Sequence, residues 1–143
     1  MERPVSSPHA VINPPELAPP VGFAHVVVPV AGRTVWLGGQ TGVDEAGRVV
    51  GRWLLEQFDR AAANVVTALS AAGVRPEHLV SMLICTTDMA AYRAALPELG
   101  AAYRSRFGRH YPATALVGVS ELFDPSALVE LVCVAVVPDQ PRA

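Results

Sequence analysis

The chain has 143 residues, 51% of them hydrophobic and 17% charged, with a net charge of −2. This is one ordinary domain with ample apolar material for a core, which excludes intrinsic disorder, and the charge balance excludes a global basic field for nucleic acid or membrane. All eleven basic residues are arginine, so no lysine of the chain can form a Schiff base and no Walker A phosphate loop can exist. Cys85 and Cys133 match no zinc or redox spacing, and His9, His25, His78 and His110 are scattered, so neither a metal nor a cofactor is expected. With no apolar run near the ~18 residues of a membrane span and no basic-then-apolar leader, the expectation is a soluble cytoplasmic protein.

Six prolines fall within the first twenty residues, so residues 1–20 read as an extended arm without a regular ladder. Residues 23–29 form a first strand that ends at Pro29, residues 30–33 turn, and residues 34–38 return, which predicts a hairpin. From Leu54 the period becomes helical. Leu54, Leu55, Phe58, Ala61, Ala62, Val65, Val66, Leu69 and Ala72 make one apolar stripe, with Gly73 placed for a left-handed cap. Residues 79–87 read as a buried strand, and Asp88 as the N-cap of a second helix that reaches about Phe107 with a kink or break at Pro97. Residues 113–119 and 127–137 are two more strands, joined by a turn at Asp124-Pro125. The order is ββαβαββ, an α+β domain over residues 21–138 with its helices on one face of a mixed sheet, followed by a short tail at 139–143. The last strand is apolar on both faces, and the face that the helices leave open predicts an oligomer.

Glu130 is the exception in that strand. A carboxylate among Leu128, Val129, Leu131 and Val132 needs a partner or a proton, and burial disfavours its charged form, which suits general acid or base work near neutrality. An edge position or a structural ion pair with an arginine is the other reading. In Gly38-Gly39-Gln40-Thr41-Gly42, paired glycines allow close approach of a ligand or another backbone. The spacing is no dinucleotide fingerprint, and a plain turn is the other reading. Arg104, Arg106 and Arg109, with His110, read as cations at a helix C-terminus or as an anion site.

Taken together, Phe23-Ala24-His25-Val26-Val27, Leu37-Gly38-Gly39-Gln40-Thr41-Gly42-Val43-Asp44, residues 57–73, Thr87-Asp88-Met89, Tyr111-Pro112-Ala113 and Leu128-Val129-Glu130-Leu131 resemble the Rid/YjgF family in order and spacing. These are the reactive intermediate deaminases, also catalogued as the endoribonuclease L-PSP family. The resemblance implies a chorismate-mutase-like fold and a homotrimer, with sheets around a central barrel and small-molecule clefts between subunits. It further implies hydrolysis of reactive enamines and imines, such as 2-aminoacrylate, to a keto acid and ammonia. By the same resemblance, Glu130 positions or activates water, Gly39 and Gln40 help hold substrate by their main chain, and Phe23 takes the place of an aromatic, often tyrosine.

The chain departs from the pattern where the family clamps a carboxylate. Pro-Ala-Arg is here Pro112-Ala113-Thr114, and a cysteine often found two residues on is Leu116. One neutral hydroxyl does not replace a two-pronged charged grip, whose bonds contribute about 1.5–3 kcal/mol each. The expected substrate is therefore neutral or larger and less polar, with Arg109 a candidate to restore anion binding from its loop. A non-catalytic ligand-binding trimer is the alternative, and RNA binding or cleavage is disfavoured by the acidic balance.

Overall fold

The computed structural model describes residues 6–140. The outer ends of the arm and the tail, residues 1–5 and 141–143, lie outside the described residues. In chain order the elements are β1 (Ala10–Ile12), β2 (Val26–Val28), β3 (Gly32–Trp36), β4 (Gln40–Thr41), α1 (Leu54–Ala71), a 3-10 turn (Pro76–His78), β5 (Leu79–Thr86), α2 (Met89–Ala94), α3 (Leu96–Phe107), β6 (Ala113–Gly118) and β7 (Val129–Pro138). The sheet runs β3-β7-β5-β6, with β4 also on β7. Only β5 and β6 are parallel, so the sheet is mixed.

The α1 stripe is buried as its spacing requires, from Leu54 through Phe58, Ala61, Ala62 and Val65 to Leu69. Gly73 follows with φ +71°, and the N–H groups of Ala72, Gly73 and Val74 close the helix on the carbonyls of Leu69 and Ser70. Asp88 caps α2, its carboxylate accepting from Ala91 N at 3.0 Å. The break expected at Pro97 falls two residues earlier, at Ala95, which ends α2 and precedes α3. The core lies between these helices and one sheet face, on Leu79, Met82, Ile84, Leu131, Cys133 and Ala135.

Two expectations for the first forty residues fail. Residues 23–29 and 34–38 form no hairpin: β2 pairs with β1 in a separate two-stranded ribbon, and β3 pairs with β7. The arm is therefore not a free extended segment, because Ala10-Val11-Ile12, between Pro8 and Pro14, can pair. His9 anchors it. Val30 N–H donates to its Nδ1 at 3.2 Å, so Nε2 carries the proton and faces the carbonyls of His78 (3.1 Å) and Val136 (3.0 Å). That pin turns the chain away from β2 and delivers it to β7 as β3.

Candidate functional site

The ladder on β7 is irregular beside Glu130. β3 pairs through Trp36 with Val134, and β4 resumes with Gln40 opposite Leu131. Residues 37–39 thus face Val132 and Cys133, one residue more than a regular ladder needs, and the paired glycines absorb this bulge. Glu130 lies against the bulge. A Cβ built on Gly39 would overlap Oε1 of Glu130 and stand 2.8 Å from its Cδ. The carboxylate therefore rests on glycine backbone that a side chain would cover.

Register also assigns the faces. Leu131 pairs with Ile84, and both are core; Glu130 pairs with Cys85 and Thr41 and so points to the opposite, helix-free face. It is half-buried there and makes no hydrogen bond or ion pair among the described residues. Beside it, burial and secondarily the charge of Glu130 raise the Cys85 thiol above its ordinary value. Cys133, inside the core, is pushed up to about 12 by burial. Neither thiol is a nucleophile at neutral pH.

The β7 register depends on a residue whose role the sequence pattern did not reveal. Gln57, on the buried side of α1, accepts from Leu128 N at 2.7 Å and donates to the carbonyls of Ser126 (3.0 Å) and Gly51 (3.2 Å). It holds the chain two residues before Glu130. Gln57 interrupts an apolar stripe at a buried position, and that is the signal that could have found it.

Thr114, Leu116 and Phe23 are elsewhere. Thr114 pairs with Met82 and Leu116 with Ile84, both core-facing, so these β6 side chains belong to the helix face. Together with Phe23 they line a cavity of about 720 Å³ between the β6 edge and α2 and α3. A second cavity of about 400 Å³ shares Phe23 and Thr114 and opens beside Ser81 and Leu83. Phe23 is placed by Ala24, which bridges Ala113 and donates to Pro112 O at 3.1 Å. The Thr114 hydroxyl donates to the same carbonyl at 2.7 Å, so its proton is taken within its own turn.

The expected site residues therefore form two groups on opposite faces of one sheet. Glu130 and Gly39 are in direct apposition on the open face. Gln40 adjoins them, but its amide donates to Gly38 O at 3.2 Å. Phe23, Thr114 and Leu116 line the cavity on the other face. Arg109 is exposed and lines neither cavity, while Arg104 of the same basic run lines the larger one. Arg106 is bound to Asp59 by two 2.9 Å bonds, and His110 donates to Leu79 O at 2.7 Å. The basic run is thus divided among separate tasks and forms no continuous stripe. Among the described residues, no group of His, Cys, Asp and Glu could hold a metal ion, and no helix is long and apolar enough to cross a membrane.

The family model described as Endoribonuclease L-PSP matches residues 15–137. The solved structure of YyfB from Yersinia pestis, a conserved Rid-family protein of unknown function, is 31% identical, with 90% of this chain and 98% of that one covered and a TM-score of 0.77. Rv2704 from Mycobacterium tuberculosis, a member of the YjgF/YER057c/UK114 family, is 30% identical over 82% of this chain and 88% of that one, with a TM-score of 0.61. RidA from an Antarctic Psychrobacter, 23% identical over 84% and 92% with a TM-score of 0.64, shares the fold. No curated protein matches the chain. With its family model spanning nearly the whole described fold, the chain belongs to the endoribonuclease L-PSP family, whose solved members carry the Rid and YjgF names.

Proposed function

We propose that the chain is an enamine or imine hydrolase acting on a neutral or larger, less polar reactive intermediate, with weak activity on small acids of the 2-iminopropanoate type. The observation that carries this reading is the carboxylate of Glu130, without a partner among the described residues, seated on the Gly39 backbone on the helix-free face of the sheet. In the reaction, Glu130 takes a proton from water as the hydroxyl adds to the C=N carbon. The C=N electron pair moves to nitrogen, which takes the proton that Glu130 removed from water. The carbinolamine then collapses: its hydroxyl proton passes to nitrogen by way of Glu130, the C–N bond breaks, ammonia leaves, and a carbonyl remains. Water is the only co-reactant, so the step needs no cofactor.

The working form in this reading is a homotrimer. Trp36, Leu83 and Val117 are exposed on the helix-free face, beside half-buried Val132 and Val134. An uncovered apolar sheet face is closed most simply by further copies. The same packing would bring the open-face group of one copy to the cavity group of the next and make one cleft from two halves. The family's position for the carboxylate clamp carries Thr114, whose hydroxyl proton is already used, and small acids lose their anchor there.

The test is hydrolysis of a neutral imine beside 2-iminopropanoate, by wild type and Glu130→Gln. The reading expects faster turnover of the neutral compound and loss of that turnover in the variant with the assembly intact. Turnover unchanged by Glu130→Gln removes Glu130 from the mechanism. Ligand retention with no turnover of any imine establishes instead the non-catalytic binding trimer, which the Thr114 substitution favours.

A further inference from the structure

Among the described residues, Arg104 is the only charged side chain lining the 720 Å³ cavity, and the proposed hydrolysis does not use it. It projects from the last turn of α3 and, unlike Arg106, has no ion-pair partner among the described residues. Its guanidinium folds back over Gly100: a Cβ there would stand 3.2 Å from Nη1. Glycine inside a helix costs about 1 kcal/mol relative to alanine. At this position, its bare backbone both makes room for the guanidinium and forms cavity wall. The result is an unengaged cation on the rim of a chamber whose walls include Phe23, Ile84, Leu99 and Leu116. The volume is within the range of about 300–1,000 Å³ usual for small-molecule sites.

We propose that this cavity binds a monoanionic acid with an apolar body of aromatic-ring size or larger, its carboxylate on Arg104 and its body between Phe23 and Leu116. The inference deepens the hydrolase reading and rests on it only for the chemistry, since it narrows the less polar substrates to amphipathic acids. The energetics separate these from small acids. An ion pair at an exposed rim contributes little by itself, so an acid of two or three carbons is not retained. An apolar body adds about 25 cal/mol for each Å² it buries, and holding the head group in place lets the guanidinium–carboxylate pair contribute. Substrate size and charge are then read jointly, by a cation one helix away from the position where the family pattern has its arginine.

The test is calorimetric titration of the full chain with 2-naphthylacetate and with its neutral counterpart, 2-naphthylacetamide. Wild type should bind the acid about tenfold more tightly than the amide, the order expected of one charge-assisted contact. Arg104→Ala, a change at an exposed position, should erase that preference and leave the amide affinity where it was. Arg104→Lys should restore part of the preference, and Leu116→Trp, which fills the cavity, should weaken both compounds. Equal binding of acid and amide to wild type overturns the proposal. So does an Arg104→Ala variant that loses both compounds alike, and so does binding of neither in the millimolar range. Turnover plays no part in the titration. Absence of imine hydrolysis would remove the proposed activity and leave the Arg104 result standing; equal binding would do the reverse.

Discussion

The Glu130 carboxylate lies where a Cβ of residue 39 would be, so the position of the acid and the identity of Gly39 are one feature. Gly39→Ala is accordingly a way to move Glu130 without removing it. The obstructing atom is the end of a flexible side chain, so the new methyl displaces the carboxylate while the fold adjusts by about 1 kcal/mol or less. Displacing a catalytic group by about 1 Å lowers rate by about 100-fold. The expected outcome is a thermally normal protein with turnover reduced to that extent. Thermal unfolding and imine hydrolysis on one preparation check it, and full activity in Gly39→Ala would detach the glycine from the site.

Gln57 joins α1 to the segment just ahead of β7 through two hydrogen bonds, at Ser126 and Leu128, and holds the Gly51 carbonyl with a third. Gln57→Leu keeps the volume but leaves Leu128 N–H and the Ser126 and Gly51 carbonyls without it. Each buried group left unpaired costs about 1–3 kcal/mol. Water access at the loop groups moderates the sum, and a loss of about 2–4 kcal/mol is expected in denaturant unfolding. Activity should fall further than stability explains, because the Leu128 contact sets the strand that presents Glu130.

How much of this was legible in the chain varies by element. The α1 stripe, its glycine cap, the Asp88 cap and the break ahead of Pro97 are local, and the structure has each of them. The hairpin fails because a short Gly-containing link predicts pairing only when no other strand competes. Ala10-Val11-Ile12 took β2, and the ten-residue β7 took β3. At the site, the apolar pattern of the last strand singles out Glu130 and the paired glycines single out Gly39, and the two do touch. The division of Glu130 from Thr114 and Leu116 was not legible, because facing depends on register across two intervening ladders. Arg104 and Arg109 differ only in where α3 ends, which sequence gives no better than a residue or two.

Histidines give the pH dependence. Burial holds His78 below its ordinary 6.5, with Glu77 opposing and Arg75, His9 and His110 adding smaller effects. Burial likewise lowers His110, against the opposing Leu79 carbonyl contact and Glu77. His78 Nδ1 accepts from Arg75 N at 3.0 Å, which requires the unprotonated nitrogen. With folded values lowered, the unfolded chain binds more protons below pH 6.5, so this stability is complete above 6.5 and lost as pH falls beneath it. Asp59, lowered first by its hydrogen bond from Arg106, acts in a separate window below 3.8. Melting temperature should therefore decline in two stages on acidification. His78→Asn, which keeps an acceptor but does not titrate, should flatten the first stage, and an unchanged first stage would exclude His78 as its source.

If the cleft is assembled from two copies, defects on opposite sheet faces should complement each other. Glu130→Gln damages the open-face half, and Leu116→Trp damages the cavity half. In a mixed assembly, a site that takes Glu130 from a Leu116→Trp copy and Leu116 from a Glu130→Gln copy is wild type in both. Random assortment of equal amounts makes roughly a quarter of the sites of this kind. Two inactive preparations, denatured together and refolded, should then recover about that fraction of wild-type turnover, while simple mixing without exchange recovers none. A Leu83→Glu change placed in both chains puts a charge on the apolar face and should abolish the recovery along with the assembly, as sedimentation would register. Recovery absent from co-refolded chains that do assemble would mean that each copy carries its own complete site, and the open face would then be packing surface alone.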